Sequence, residues 1–183
     1  MNRIGVAPRS FFVDAARRFW KANFRPDARV LGVHLRGTDK LQSTQRPVKV
    51  ARYLPLIKAY LCQEPSASLF VATDDARMLR GLRSALPDRK IVARAVPRSE
   101  SLKNPVLDRG NENASATAGM DVLLDTLLLS RCSFLLKPAS MVSEAATYFS
   151  PRLITASFDF HVPDHPLPTW AKACQHRGNA QGT

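Results

Sequence analysis

Glycine is scarce in this sequence, with eight in 183 residues, and none of them builds a phosphate-cradling loop. No G-x-G-x-x-G occurs, so a dinucleotide-dependent oxidoreductase has no support, and no G-x-x-x-x-G-K-[ST] occurs, so a P-loop has none. The G-x-S-x-G nucleophile elbow is missing as well. No apolar run reaches the roughly 18 residues that a membrane-crossing helix needs. The start, Met1-Asn2-Arg3-Ile4-Gly5, lacks the pattern of a signal peptide, and a cytoplasmic protein is expected. Cysteine is sparse and odd in number. Cys62, Cys132 and Cys174 lie far apart without metal-ligand spacing, which predicts free thiols in a reducing compartment. His161 and His165 stand four apart, but Pro163 lies between them and Pro166 follows, which disfavours a helical two-histidine metal site.

Acidic residues are the most uneven deficit. Residues 1–58 hold no Glu and only Asp14, Asp27 and Asp39, against 13 Lys and Arg, so most of the net charge of +12 falls there. A positive field of this kind attracts an anionic ligand such as a nucleotide diphosphate. Nucleic acid is the rival partner. It is disfavoured because the basic residues are dispersed among apolar ones and no zinc-finger, basic-zipper or aromatic RNA-binding motif is present.

What is there is a regular alternation of helix and strand patterns. Phe11, Phe12, Ala15, Phe19 and Trp20 recur at helical spacing over 10–24, ahead of an apolar run at 30–35. A helix is expected at about 49–62, with Pro55 in its first turn or kinking it. Strands are expected at 68–72, 90–96, 134–136 and 152–157, with helices at about 75–86, 120–128 and 140–149. A long loop is expected over 97–118. This order predicts an α/β fold, a Rossmann-like doubly wound parallel sheet. It forms a single domain over 1–172, with a leading helix in 1–27, a core in 28–157 and a disordered tail at 173–183.

In such sheets ligands bind beyond the carboxyl ends of the strands, and three of those ends are polar. The first carries His34, Arg36, Asp39 and Lys40, the second Thr73, Asp74 and Asp75, and the third Ser140, Ser143 and Glu144. Arg36 suits phosphate because its planar fork bonds oxygens bidentately and keeps its charge. Asp74 or Asp75 can cap the following helix or accept from a base or ribose. Ser140 falls at a helix N-terminus, where backbone amides favour phosphate.

Three blocks resemble those of the α1,6-fucosyltransferases, the rhizobial nodulation enzymes and the animal core fucosyltransferase among them. They are Val33-His34-Leu35-Arg36-Gly37-Thr38-Asp39-Lys40, then Phe70-Val71-Ala72-Thr73-Asp74-Asp75, and then Asp121 to Leu136 followed by Ala139-Ser140. The resemblance spans residues 28–157 and implies the C-terminal, donor-binding lobe of a GT-B glycosyltransferase. It implies GDP-fucose as donor, a glycan hydroxyl as acceptor, inversion, and no metal cofactor. Arg36 would bind the β-phosphate and stabilise the leaving diphosphate. His34 would hold the nucleotide, Asp75 would contact guanine, and Asp39 and Lys40 would support the phosphate site. Asp125 and Ser140 would shape the pocket.

Two positions depart from the family pattern. Gly37 stands where a second Arg is usual, and Thr44 stands where the animal enzymes carry a Glu thought to act as base. Asp39 is then the nearest candidate base. Only about 28 residues precede the first block, too few for an acceptor-binding lobe, which a longer protein or a partner chain would supply. The alternatives to a transferase are a non-catalytic nucleotide-sugar-binding module or truncated family member and, third, a basic nucleic-acid-binding protein.

Overall fold

The structure is a computed structural model that describes residues 8–37, 47–100 and 112–172. Five parallel strands form one sheet: β1 Val30–Leu35, β2 Ser68–Thr73, β3 Ile91–Val92, β4 Phe134–Lys137 and β5 Ser157–Asp159. Their spatial order is β3-β2-β1-β4-β5. The chain winds outward from β1 in one direction through β2 and β3, then crosses back and winds through β4 and β5 in the other. The reversal leaves a switch point between β1 and β4, where an open α/β sheet has its ligand crevice.

The helices are α1 Ser10–Asn23, α2 Val50–Gln63, α3 Ala76–Ala85, α4 Glu112–Leu129 and α5 Met141–Phe149. Strand side chains alternate between two faces, so β1 serves two cores. Leu31, Val33 and Leu35 meet Tyr53, Ile57 and Leu61 of α2 and Leu79 and Leu82 of α3. Val30 belongs to the opposite core, with Ala16 of α1, Leu127 and Leu128 of α4, and Ala146 of α5. His34 shares that second face, which directs its ring toward α5. Gly32 is required there. A Cβ at this position would lie 3.0 Å from Cys132 Sγ and 3.1 Å from Leu135 Cδ1, so the backbone approaches α4's exit more closely than a side chain allows.

The parallel, doubly wound sheet is as expected, and three local expectations are corrected. The strand at 90–96 shrinks to Ile91–Val92, because the Arg98 guanidinium takes up carbonyl oxygens of Thr73, Arg94 and Val96 beyond it. The long loop ends early, since α4 already begins at Glu112. Residues Pro151–Ile154 form a 3₁₀ turn with Pro151 opening it, and the last strand follows at Ser157–Asp159. Pro55 lies in the second turn of α2, which continues through it. It sits on the exposed side, so the bond lost to its missing N–H falls where water can replace it.

Cys132 is a free, buried thiol, whereas Cys62 is disulfide-bonded, which corrects the expectation of three free thiols. Among the described residues no helix is long and apolar enough to cross a membrane. Asp39, Lys40, Thr44, Cys174 and the tail at 173–183 lie outside the described residues.

Candidate functional site

The switch point is closed by two contacts between β1 and the start of α5. Arg36, just past β1, donates from Nη1 to Ser140 Oγ at 2.9 Å. Two residues earlier His34 Nδ1 meets Ser143 Oγ at 2.6 Å, with both groups buried. Ser140 and Ser143 are three apart and therefore share one face of α5. His34 and Arg36 are two apart and share one face of β1. Helical and strand periods thus bring two pairs into register. Ser140 is the N-cap of α5 in extended conformation, and its hydroxyl makes no capping bond. The first turn's amides have no acceptor within the helix, so their partial positive charge faces the crevice beside the Arg36 guanidinium.

The other wall is built by β2 and α3. Gly37 N donates to Asp74 Oδ1 at 3.0 Å. A Cβ on Gly37 would lie 2.6 Å from Asp75 Oδ2 and 2.9 Å from Met78 Sδ, so the chain after Arg36 passes directly over the N-terminus of α3. Asp75 caps that helix. Its Oδ1 accepts from Arg77 N at 2.8 Å and Met78 N at 3.2 Å, and its Oδ2 accepts from Arg77 Nη2 at 2.6 Å. Burial alone pushes the Asp75 carboxyl up, but the Arg77 side chain and the two backbone amides outweigh it and hold the group below the usual range. Tyr53 of α2 donates its hydroxyl to His34 O at 3.0 Å and so fixes the end of β1 from the opposite face. Burial, with Asp159 adding to it, pushes this phenol far up, which keeps it a proton donor.

Asp125 stands apart from this group. It lies on α4 against Arg94, whose Nη1 reaches its Oδ1 at 3.4 Å and whose Nη2 holds Asp121 at 2.6 Å. Burial pushes the Asp125 carboxyl up to about 6 despite Arg94 and Arg98. The structure thus brings His34, Arg36 and Ser140 together, gives Asp75 a capping role at their side, and places Asp125 in a separate acidic cluster.

Sequence reasoning gave no role to Tyr53, Arg94, Lys137 or Asp159. Lys137 and Asp159 are paired across β4 and β5 and joined at 3.1 Å, each 8% exposed at the side chain. The signal was a charge at the end of the apolar run Phe134-Leu135-Leu136 and another between Phe158 and Phe160.

No protein-family model matches the chain, and no curated protein sequence does. Solved structures do. The NodZ alpha-1,6-fucosyltransferase soaked with GDP-fucose is 20% identical and superposes with a TM-score of 0.51 over 78% of this chain and 43% of that one. Fucosyltransferase NodZ from Bradyrhizobium is 22% identical, with a TM-score of 0.55 over 86% of this chain and 46% of its own. POFUT1 in complex with GDP-fucose is 15% identical, with a TM-score of 0.57 over 84% and 46%. At these identities the likeness establishes the fold, a Rossmann-like sheet shared with fucosyltransferases. The chain spans somewhat less than half the length of each.

Proposed function

We propose that this chain is the donor-binding half of a fucosyltransferase-type glycosyltransferase. It binds GDP-fucose at the β1–β4 switch point, and fucose passes with inversion to a glycan hydroxyl. The observation that carries the reading is the junction of Arg36 with the N-terminus of α5. The Arg36 guanidinium and the first turn of α5, whose amides have no acceptor within the helix, converge where the winding reverses, and a diphosphate suits both. Residues 1–172 then form one domain with its core at 28–157.

In the transfer, an acceptor oxygen attacks the sugar's anomeric carbon while the bond from that carbon to the β-phosphate breaks. GDP leaves with the electron pair. Arg36 and the α5 amides hold the charge that develops on it, the electrostatic part of catalysis that a metal ion supplies elsewhere. The acceptor's proton goes to a base. Asp39 is the nearest candidate in this chain, and Lys40 supports the phosphates. His34, locked by Ser143, shapes the nucleotide pocket. Asp75 acts at the base-binding wall through the helix it caps, and Asp125 shapes the pocket only indirectly, through the cluster it forms with Arg94 and with Asp121 of α4. The acceptor-binding lobe comes from a longer protein or from a partner chain.

The resolving experiment is calorimetric titration with GDP, GDP-fucose, GDP-mannose and UDP-glucose in the presence of chelator. Selective binding of the guanosine ligands supports the reading. Binding without turnover, even with the second lobe added, favours a nucleotide-sugar-binding module. Indifference to every nucleotide, together with salt-sensitive binding to nucleic acid, refutes both.

A further inference from the structure

Four charged or polar side chains that the donor reading leaves unused meet behind the turn joining β4 to α5. Lys137 ends β4 and stands in register with Asp159 at the end of β5. Its ammonium donates to Asp159 Oδ2 at 3.1 Å and to Glu144 in the first turn of α5. The second oxygen of Asp159, Oδ1, accepts from His161 N at 2.9 Å. The ring of His161 turns back across the sheet edge, and its Nδ1 receives Ala139 N at 3.0 Å. Ala139 is one of only two residues between β4 and the α5 cap, and the other, Pro138, has no N–H to give. This hydrogen bond ties the segment that delivers Ser140 to Arg36 to the end of β5.

A backbone amide can only donate. Nδ1 of His161 must then be the acceptor, which leaves the proton of the neutral ring on Nε2. The chain of contacts runs from α5 through Lys137 and Asp159 to His161 and back to the α5 entry, so it closes on itself. Such a loop holds a turn in one geometry because moving any member strains the others. The members of the cluster also fix its charge. Lys137 faces both Glu144 and Asp159, so one cation serves two carboxylates and the backbone amide of His161 supports the inner one.

We propose that His161 is the positioning residue of the anion-binding turn. By accepting the Ala139 amide, and being tied through Asp159 to Lys137, it holds Ser140 and the first turn of α5 opposite Arg36. The effect on ligand affinity rests on the donor-site reading, while the state of the turn itself is observable without any nucleotide.

The test compares His161→Ala and His161→Asn with the wild-type chain by NMR and calorimetry. An asparagine oxygen can occupy about the place of Nδ1 and restore the acceptor. At pH 8, long-range proton–nitrogen correlation should show the Nε2–H form of His161 in the wild-type protein. In His161→Ala the Ala139 amide should exchange about tenfold faster and GDP should bind about tenfold more weakly, the scale of one hydrogen bond. His161→Asn should bring both back to within about threefold.

An Nδ1–H ring in the wild type overturns the proposal, even if the alanine variant fails to fold. So does unchanged exchange in His161→Ala, or faster exchange with unaltered GDP affinity, or an asparagine variant as impaired as alanine. If the wild-type chain binds no GDP, the donor-site reading fails, and the exchange comparison alone decides the role of His161.

Discussion

Arg36 and Ser140 are 104 residues apart in sequence and 2.9 Å apart in space, guanidinium nitrogen to hydroxyl oxygen. The contact exists because β1 and β4 are sheet neighbours although three helices and two strands separate them along the chain. It places a permanent cation beside a helix N-terminus, an arrangement that suits an anionic ligand. Two like electrostatic signs brought together at a crevice are stabilised when negative charge binds between them.

Arg36→Ala should therefore reduce GDP binding at least about a hundredfold while leaving the melting temperature close to wild type, since Arg36 lies past the strand core. Arg36→Lys keeps the charge but loses the fork and should fall between, about tenfold weaker. Calorimetry and thermal denaturation read the two effects separately. Full GDP affinity in Arg36→Ala would falsify the site assignment.

Gly37 and Gly81 should respond to alanine with opposite signs. At Gly37 a Cβ meets Asp75 Oδ2 at 2.6 Å and the Asp75 Cβ at 2.8 Å, so Gly37→Ala must displace the turn or the α3 cap. It should destabilise by about 1–3 kcal/mol. At Gly81, inside α3, an added Cβ meets nothing within 4 Å, and Gly81→Ala should stabilise by roughly 0.5–1 kcal/mol. Urea denaturation of the two variants checks both.

Asp125 should make stability fall as pH rises. Burial lifts its carboxyl to about 6 in the folded chain, above its ordinary 3.8. The folded state therefore holds this proton more tightly than the unfolded state. The stabilisation is complete below about pH 4 and is lost as pH rises through about 6, on the order of 3 kcal/mol. Asp125→Asn removes the titration. Its stability relative to wild type should improve between pH 4 and pH 8, and a difference independent of pH would show that Arg94 keeps the carboxylate charged throughout.

The cysteines should label unequally. Cys132 is buried, and burial pushes its thiol far up, which suppresses the reactive thiolate. Iodoacetamide should leave it unmodified in the native protein and label it on unfolding. Cys62 should become available only after reduction, although it lies on the exposed side of α2. Peptide mass spectrometry resolves the two, and a native, unreduced chain alkylated at Cys62 would contradict the disulfide.

Much of this site was legible before any coordinates. His34, Arg36 and Ser140 follow or end short apolar runs, and a parallel sheet sends all such ends to one edge. Asp75 was legible as a cap because it precedes a helical stripe. What could not be read was which ends become neighbours. Strand order is set by packing of the helices, not by local pattern, so the pairings of Arg36 with Ser140 and of His34 with Ser143 were invisible. Lys137 and Asp159 were hidden for the same reason. Each alone reads as a charge on a strand end, and only the β4–β5 register makes them a buried pair. The strand placed at 152–157 failed because Leu153 fills the core from a 3₁₀ turn, which apolar spacing over four residues does not distinguish from a strand. The Asn and Ser before Met120 suggested a loop, yet α4 runs through them, its helix carried by the apolar stripe that follows.

The most direct test of the central claim is to titrate GDP into the isotope-labelled chain in the presence of chelator and follow the backbone amides. The account expects saturable shifts concentrated at Gly37 and at the α5 entry, Ser140 to Ser143, with the Arg36 side-chain signals moving in step and all of them lost in Arg36→Ala. Shifts centred elsewhere, or none in a folded sample, would contradict it.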